Sequence, residues 1–219
     1  KLERRVEALA ALNEVGQTLT SGIRLKQDGI LGLIYEQAKK LTGAQDMYIA
    51  LYDEKTETIH FGLATEQGER VHYESRQADM ERRGRTEEVI LTKEPILHRT
   101  LAESEAWYGQ PEHQEFIERL SSSWLGVPMV VGERVLGMIA IYDWEREQIY
   151  DEQDLQVVSS MASQAAIALD NARMFYDVDQ RRRALVDFGQ AISSGIRLSE
   201  RERLLEEEFP GGYEAFRCR

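Results

Sequence analysis

Apolar and polar positions recur along this chain with two different periods, and each change of period marks an element. In KLERRVEALAALNEVGQTL, Leu2, Val6 and Leu9 form one stripe, and Ala8, Leu12, Val15 and Leu19 form another, with spacings of three and four. Such spacing predicts an amphipathic helix near residues 3–19, of the kind found at a coiled-coil end. Gly22 interrupts it, and a second helix is expected over 27–41, closed by Gly43 as a C-terminal cap. The period then drops to two. Met47, Ile49 and Leu51 alternate with Tyr48, Ala50 and Tyr52, and a polar turn at Asp53 to Thr56 leads to a second strand. A hairpin with strands near 46–53 and 57–64 follows.

Further on, GRTEEVILTK at 84–93 has a helical pattern, Pro95-Ile96-Leu97 reads as a short edge strand, and residues 105–120 mix loop and helix. WLGVPMVVGERVLGMIAIYDWE predicts strands near 124–131 and 134–143 around a tight Gly132-Glu133 turn, with Pro128 at a bulge or an unpaired edge position. Residues 150–188 contain neither Gly nor Pro and begin Asp151-Glu152-Gln153-Asp154, acidic residues suited to the positive end of a helix dipole. A helix over at least 151–178 is expected, with two apolar seams. One runs Leu155, Val158, Ala162, Ala165, Leu169, Ala172, Tyr176, the other Val157, Met161, Ala168, Phe175, Val178, Leu185. Two seams imply two packing partners, the helix's own sheet and something else.

One phrase appears twice. GQTLTSGIRL at 16–25 returns as GQAISSGIRL at 189–198, and the surrounding 17-residue windows agree at nine positions. An offset of 173 residues is too long for a solenoid unit and suits a domain plus connector. The expected organisation is an N-terminal signalling helix over 1–26, a domain over 27–176, a helical connector over 177–198 that opens a second copy, and an incomplete, frayed remainder over 199–219. On this expectation the chain belongs to a longer protein with tandem copies.

The strand pair at 124–145, the acidic helix start and DLQVVSSMASQAAIALDNARMF together resemble the C-terminal half of GAF domains, small-ligand sensor modules of signalling proteins. GRTEEVILTKEPILHRT is similar to the family's pocket-side helix and following strand. The resemblance implies an α+β fold: a central antiparallel sheet of five or six strands, helices on both faces, long terminal helices of coiled-coil type, and a ligand pocket on the face away from them. Serial copies joined by helices are common in that family, which would account for the repeated phrase.

Composition narrows the partners. A formal charge of -12 argues against nucleic acid or anionic membrane as a partner, and Arg181 to Arg183 reads as a solvated helix face. No apolar stretch approaches a membrane span, so a cytoplasmic location is expected. Catalytic chemistry leaves no trace in the motifs. His60, His72, His98 and His113 lack metal-site spacing, and no metal is expected. Cys218 is the sole cysteine, so a bilin-carrying domain and the cysteine-dependent methionine sulfoxide reductases of the family are excluded. The family's cyclic-nucleotide signature of Asn, Lys, Phe, Asp and Glu finds no place here. Haem would need an axial ligand such as His113 and is not expected; no cofactor is.

The strand faces supply a candidate pocket. Met47, Ile49, Leu51, Val135, Ile139 and Ile141 should meet the terminal helices, while Tyr48, Tyr52 and Tyr142 look the other way, where Trp107, Tyr108, His113, Ser123 and Trp124 could close a site. Ring faces with a few donors suit a small planar ligand. The alternative reading of the same tyrosines is as core residues with one hydroxyl reaching water. The expected function is a non-catalytic sensory domain working as a homodimer, its terminal helices carrying ligand occupancy to an output domain downstream. Phe175, Val178 and Leu185 are the expected dimer contacts. The rivals are a ligand-free dimerisation spacer and, last, an enzyme.

Overall fold

The computed structural model describes residues 27–79, 81, 83–113 and 120–208. The helix expected over 3–19 and the first copy of the repeated phrase lie outside them. The chain divides into two units, with the boundary after Ala172.

In the first unit, helix α1 (Gln27–Thr42) leads into β1 (Asp46–Asp53) and β2 (Thr58–Glu66), followed by the short β3 (Glu69–Arg70) and β4 (Arg76–Gln77). Helix α2 (Arg85–Thr92), β5 (Ile96–His98) and α3 (Leu101–Tyr108) come next. Strands β6 (Ser123–Val131) and β7 (Arg134–Asp143) then precede α4 (Glu152–Glu208). The sheet runs β3-β2-β1-β7-β6-β5, with β4 also bonded to β2, and every strand pairing is antiparallel. Seven strands stand where five or six are expected. The surplus comes from β3 and β4, two residues each, too short to leave an alternation in the sequence.

Period two sorts the side chains onto two faces. Met47, Ile49 and Leu51 of β1, Leu125 and Val127 of β6, and Ile139 and Ile141 of β7 form one core with Ile30, Leu31 and Ile34 of α1 and with the first turns of α4. Ala50, Ile59, Trp124, Met138 and Tyr142 form a second core on the other face, against Val89 and Ile90 of α2, with Tyr48 and Tyr52 packed beside them. Val135 departs from expectation. It packs on the α2 side, because Met129 faces Gly137 while Val130 faces Val135, leaving Leu136 as an extra residue on β7. This bulge flips the alternation, so Leu136, not Val135, reaches the α1 and α4 core. Gly137 makes it possible: it sits at φ +144°, and a Cβ there would lie 1.9 Å from the Ala50 carbonyl oxygen.

Helix α4 uses its seams differently from the even division expected. Met161 and Ala168, assigned to the outward seam, are buried with Val158, Ala162, Ala165 and Leu169 in the sheet-facing core. Alanines at 162, 165, 166 and 168 shorten the side-chain layer, so adjacent rows of the helix bury together. Asp170, near the end of this stretch, holds Arg134 at 2.7 Å. In the second unit, Phe175, Val178 and Leu185 are exposed, as are Met174, Tyr176 and Val186. The helical backbone continues through 189–198 to Glu208, so Gly195 does not break it and residues 199–208, expected to fray, are helical. The remainder of the expected tail, 209–219, is outside the described residues.

Candidate functional site

The α2 side of the sheet is incompletely filled. Helix α2 begins at Gly84, which has no side chain to cap it, and the first turn (Arg85, Thr86, Glu87) stands over Tyr48 of β1, Trp124 of β6 and Tyr142 of β7. Tyr73, Arg76, Tyr108, Ser121 and Trp144 complete the walls of a cavity of about 180 Å³. That is below the usual range of roughly 300–1,000 Å³ for drug-sized ligands, and matches a small metabolite.

Each wall residue is fixed by the fold beneath it. Trp124 lies over Gly126, where a Cβ would come within 2.1 Å of the indole; glycine leaves the ring its place. The Arg85 guanidinium stacks on Trp124, 4.6 Å from the ring centroid, and on Tyr108 at 5.4 Å. Its Nη2 donates to the Ser121 hydroxyl at 3.2 Å. Tyr48 and Thr86 are hydrogen-bonded through their hydroxyls at 2.9 Å, and burial raises the Tyr48 phenol to about 12 despite that bond. Tyr73 bonds the Tyr142 hydroxyl at 3.2 Å and donates to Glu66. Burial and then the Glu66 contact push the Tyr73 phenol up to about 12, while burial drives Tyr142 upward as well. At physiological pH these three walls are neutral donors.

Two charges remain to be placed. Glu87 is fully buried and pairs through Oε1 with Arg76. Although burial disfavours the Arg76 cation, that carboxylate outweighs it and raises the guanidinium. Glu87 Oε2 and Arg85 Nη1 are buried with no hydrogen-bond partner among the described residues. An unmatched buried donor or acceptor costs about 1–3 kcal/mol, more if charged, and both atoms are sealed beneath the cavity wall, without accessible surface of their own.

A family model for the GAF domain matches residues 25–170. The chain belongs to the GAF domain family. Among solved structures, the GAF domain of a phosphoenolpyruvate-protein phosphotransferase from Acinetobacter aligns at 18% identity and TM-score 0.60, covering 76% of this chain and 94% of that one. A methyl-accepting chemotaxis protein aligns at 15% identity and TM-score 0.59, covering 73% and 97%. The free methionine-R-sulfoxide reductase of Neisseria meningitidis, solved with its substrate, aligns at 18% and TM-score 0.53, covering 74% and 90%. At such identities the likeness is one of fold.

Of the residues expected around the GAF pocket, Tyr48, Tyr108, Trp124 and Tyr142 line the cavity. Tyr52, Trp107, His113 and Ser123 do not line it. Tyr52 shares the face of Tyr48 but sits four residues along the strand, about 13 Å away at the usual rise. Trp107 stacks on His113 at 3.4 Å between centroids, and His113 Nδ1 contacts the Trp107 carbonyl oxygen. Ser123 donates to the Arg99 carbonyl at 3.1 Å. The principal omissions are Arg85, Thr86 and Glu87, which belong to the segment matched to the family's pocket-side helix. In the sequence they read as an ordinary helix start, with both charge signs in one turn and nothing to mark them as buried. Among the described residues no group of three His, Cys, Asp or Glu side chains could hold a metal ion, and no helix is long and apolar enough to cross a membrane.

Proposed function

We propose that this GAF domain is a non-catalytic sensor that binds a small molecule in the cavity under α2 and passes its occupancy to α1 and α4. The observation that carries this is the ring-lined cavity of about 180 Å³ between the first turn of α2 and the sheet, walled by Tyr48, Trp124 and Tyr142. A domain that served only as a spacer would gain stability by filling that space with apolar side chains. A coupling route is built in. Strands β1, β6 and β7 floor the cavity with Tyr48, Trp124 and Tyr142 and present Ile49, Val127 and Ile141 to α1 and α4 on the reverse face. A ligand shifts such a system only as far as it binds two arrangements with different affinity. Thiol-based catalysis is argued against by the sequence: Cys218, the sole thiol, falls beyond the matched region.

Pairing of two chains through α4 belongs to the same proposal. Phe175, Val178 and Leu185 are spaced by three and seven residues, the rhythm of a coiled-coil seam, and all are exposed. Native mass spectrometry and a thermal-shift screen of small metabolites test the sensor. We expect a bound or stabilising small molecule, with the shift abolished by Tyr48→Ala and by Trp124→Ala. A protein that carries nothing and responds to nothing in the screen is a spacer.

A further inference from the structure

We propose that the connector between β7 and α4, residues 144–151, is a relay: it is tied to two walls of the cavity at once and sets the position of the first turns of α4 from them. This rests on the sensor proposal and specifies how occupancy leaves the pocket.

The first wall belongs to the connector itself. Trp144 lines the cavity, its ring edge-on to Tyr142 at 5.3 Å between centroids, and its carbonyl accepts the Ser122 hydroxyl at 3.0 Å. The stretch of chain that walls the cavity at Trp144 thus leads straight into α4 at Glu152.

The second wall reaches the connector through α3. Tyr108, the last residue of that helix, lines the cavity against Arg85. At its other end α3 opens on the Arg99–Leu101 turn, which holds the connector by three contacts. Leu101 N donates to Glu147 Oε1 at 2.9 Å, Gln148 N donates to the Arg99 carbonyl at 2.7 Å, and the Arg99 guanidinium pairs with Glu152 of α4. Ser123 of β6, fully buried, donates to the same Arg99 carbonyl at 3.1 Å, which makes the turn a pivot on the sheet rather than a free loop.

Fixation is the third ground. Ile149 and Tyr150 pack into the α1 and α4 core, and the Tyr150 hydroxyl donates to the carbonyl of Tyr142, itself a wall of the cavity, at 3.3 Å. Asp151 caps α4: its Oδ1 accepts from Gln153 N at 2.7 Å and Asp154 N at 3.1 Å, and its own N donates to Asp154 Oδ2 at 3.0 Å. Gln148 sits at φ +57°, a left-handed conformation that a non-glycine residue keeps when its surroundings over-determine it. Coupling is carried by contiguous hydrogen bonds and rigid elements. A segment pinned this closely passes on a displacement that a free loop would absorb, so a shift of Tyr108 or Trp144 reaches α4 without crossing the sheet. A signal through the sheet would instead reach α1 and α4 alike, because both pack on its reverse face.

Hydrogen exchange of the full chain, read by mass spectrometry over 155–161 of α4 and 30–38 of α1, is the test. Tyr108→Ala disturbs the wall farther from α4 in the chain. It is expected to speed exchange over 155–161 by about fivefold, the worth of roughly one hydrogen bond, and to leave 30–38 unchanged. Arg99→Ala combined with Glu147→Ala cuts both side-chain links to the connector, and in that background Tyr108→Ala is expected to add nothing over 155–161. Circular dichroism checks each fold, and Tyr108→Leu, which keeps most of the bulk, takes the place of Tyr108→Ala if the latter does not fold. No change over 155–161, an equal change in both helices, or a change over 155–161 that survives in the cut background would each overturn the relay. The measurement uses no ligand, so its failure removes the relay and leaves the sensor to the metabolite screen, whereas an empty screen removes the sensor whatever the exchange shows.

Discussion

Gly137 shows how much one missing side chain can decide. It places two strands close enough that a Cβ would lie 1.9 Å from Ala50 O and 2.8 Å from Leu51 Cα, both backbone atoms that cannot step aside, and its φ of +144° is closed to other residues. Gly137→Ala is expected to cost about 3 kcal/mol or more, read as a lower urea midpoint, and a loss under 1 kcal/mol would mean that β1 and β7 separate there easily. His98 is the second residue to test. It is 8% exposed between Trp107 and Trp124, and burial, then the Arg85 charge and that of His113, lower it to about 4 against the favourable pull of Glu103. With a folded value below the ordinary 6.5, the unfolded chain takes up the proton first. The stability contributed by neutral His98 is thus whole above about pH 6.5 and drains away as pH falls toward 4. Thermal midpoints measured from pH 7 to pH 4.5 should fall further for wild type than for His98→Phe; parallel curves would refute this. At this scale the sequence was hardest to interpret. Arg85, Thr86 and Glu87 look like an ordinary solvated first turn, and only the tertiary placement of α2 over the sheet buries them.

Elements were legible where their period was long and unbroken. Strands β1, β6 and β7 alternate over eight to ten residues, and α1 closes on Gly43, so their bounds emerge nearly as patterned. Strand β7 hides its bulge, since Val135 and Leu136 are both aliphatic and nothing in composition says which points to which face. Helix α3 begins at Leu101, ahead of the mixed loop and helix expected from 105, although its start carries a reciprocal cap: Glu103 N donates to Thr100 Oγ1 at 3.2 Å and Thr100 N to Glu103 Oε2 at 3.3 Å. The T-x-x-E spelling of that cap was the available signal. Thr100→Ala should lower stability by about 1 kcal/mol, and because α3 delivers Tyr108 to the stacked Arg85, weaken ligand binding as well. Thr100→Ser keeps the hydroxyl and should restore most of both; failure to do so would show that the methyl, not the cap, matters.

For the whole molecule, the exposed apolar row on α4 sets the expected state of association. Phe175, Val178 and Leu185 are 51%, 63% and 72% exposed, and covering them is worth on the order of 1 kcal/mol each. Light scattering at tens of micromolar should report a dimer, and Phe175→Asp with Val178→Asp a monomer that retains ligand binding; a monomeric wild type would leave α4 without the role proposed for it. The order of the strands has another consequence, felt while the chain is being made. Met47 of β1 pairs with Ile141 of β7, so the centre of the sheet joins segments from opposite ends of the domain. As synthesis proceeds, β1 can zip to β2 at once, but its other edge has no neighbour until β7 has left the ribosome. Throughout that interval the nascent chain exposes an unpaired strand bearing Met47, Ile49 and Leu51, a natural stopping place for a chaperone, and no metabolite can rescue it, because the floor of the cavity has yet to be translated.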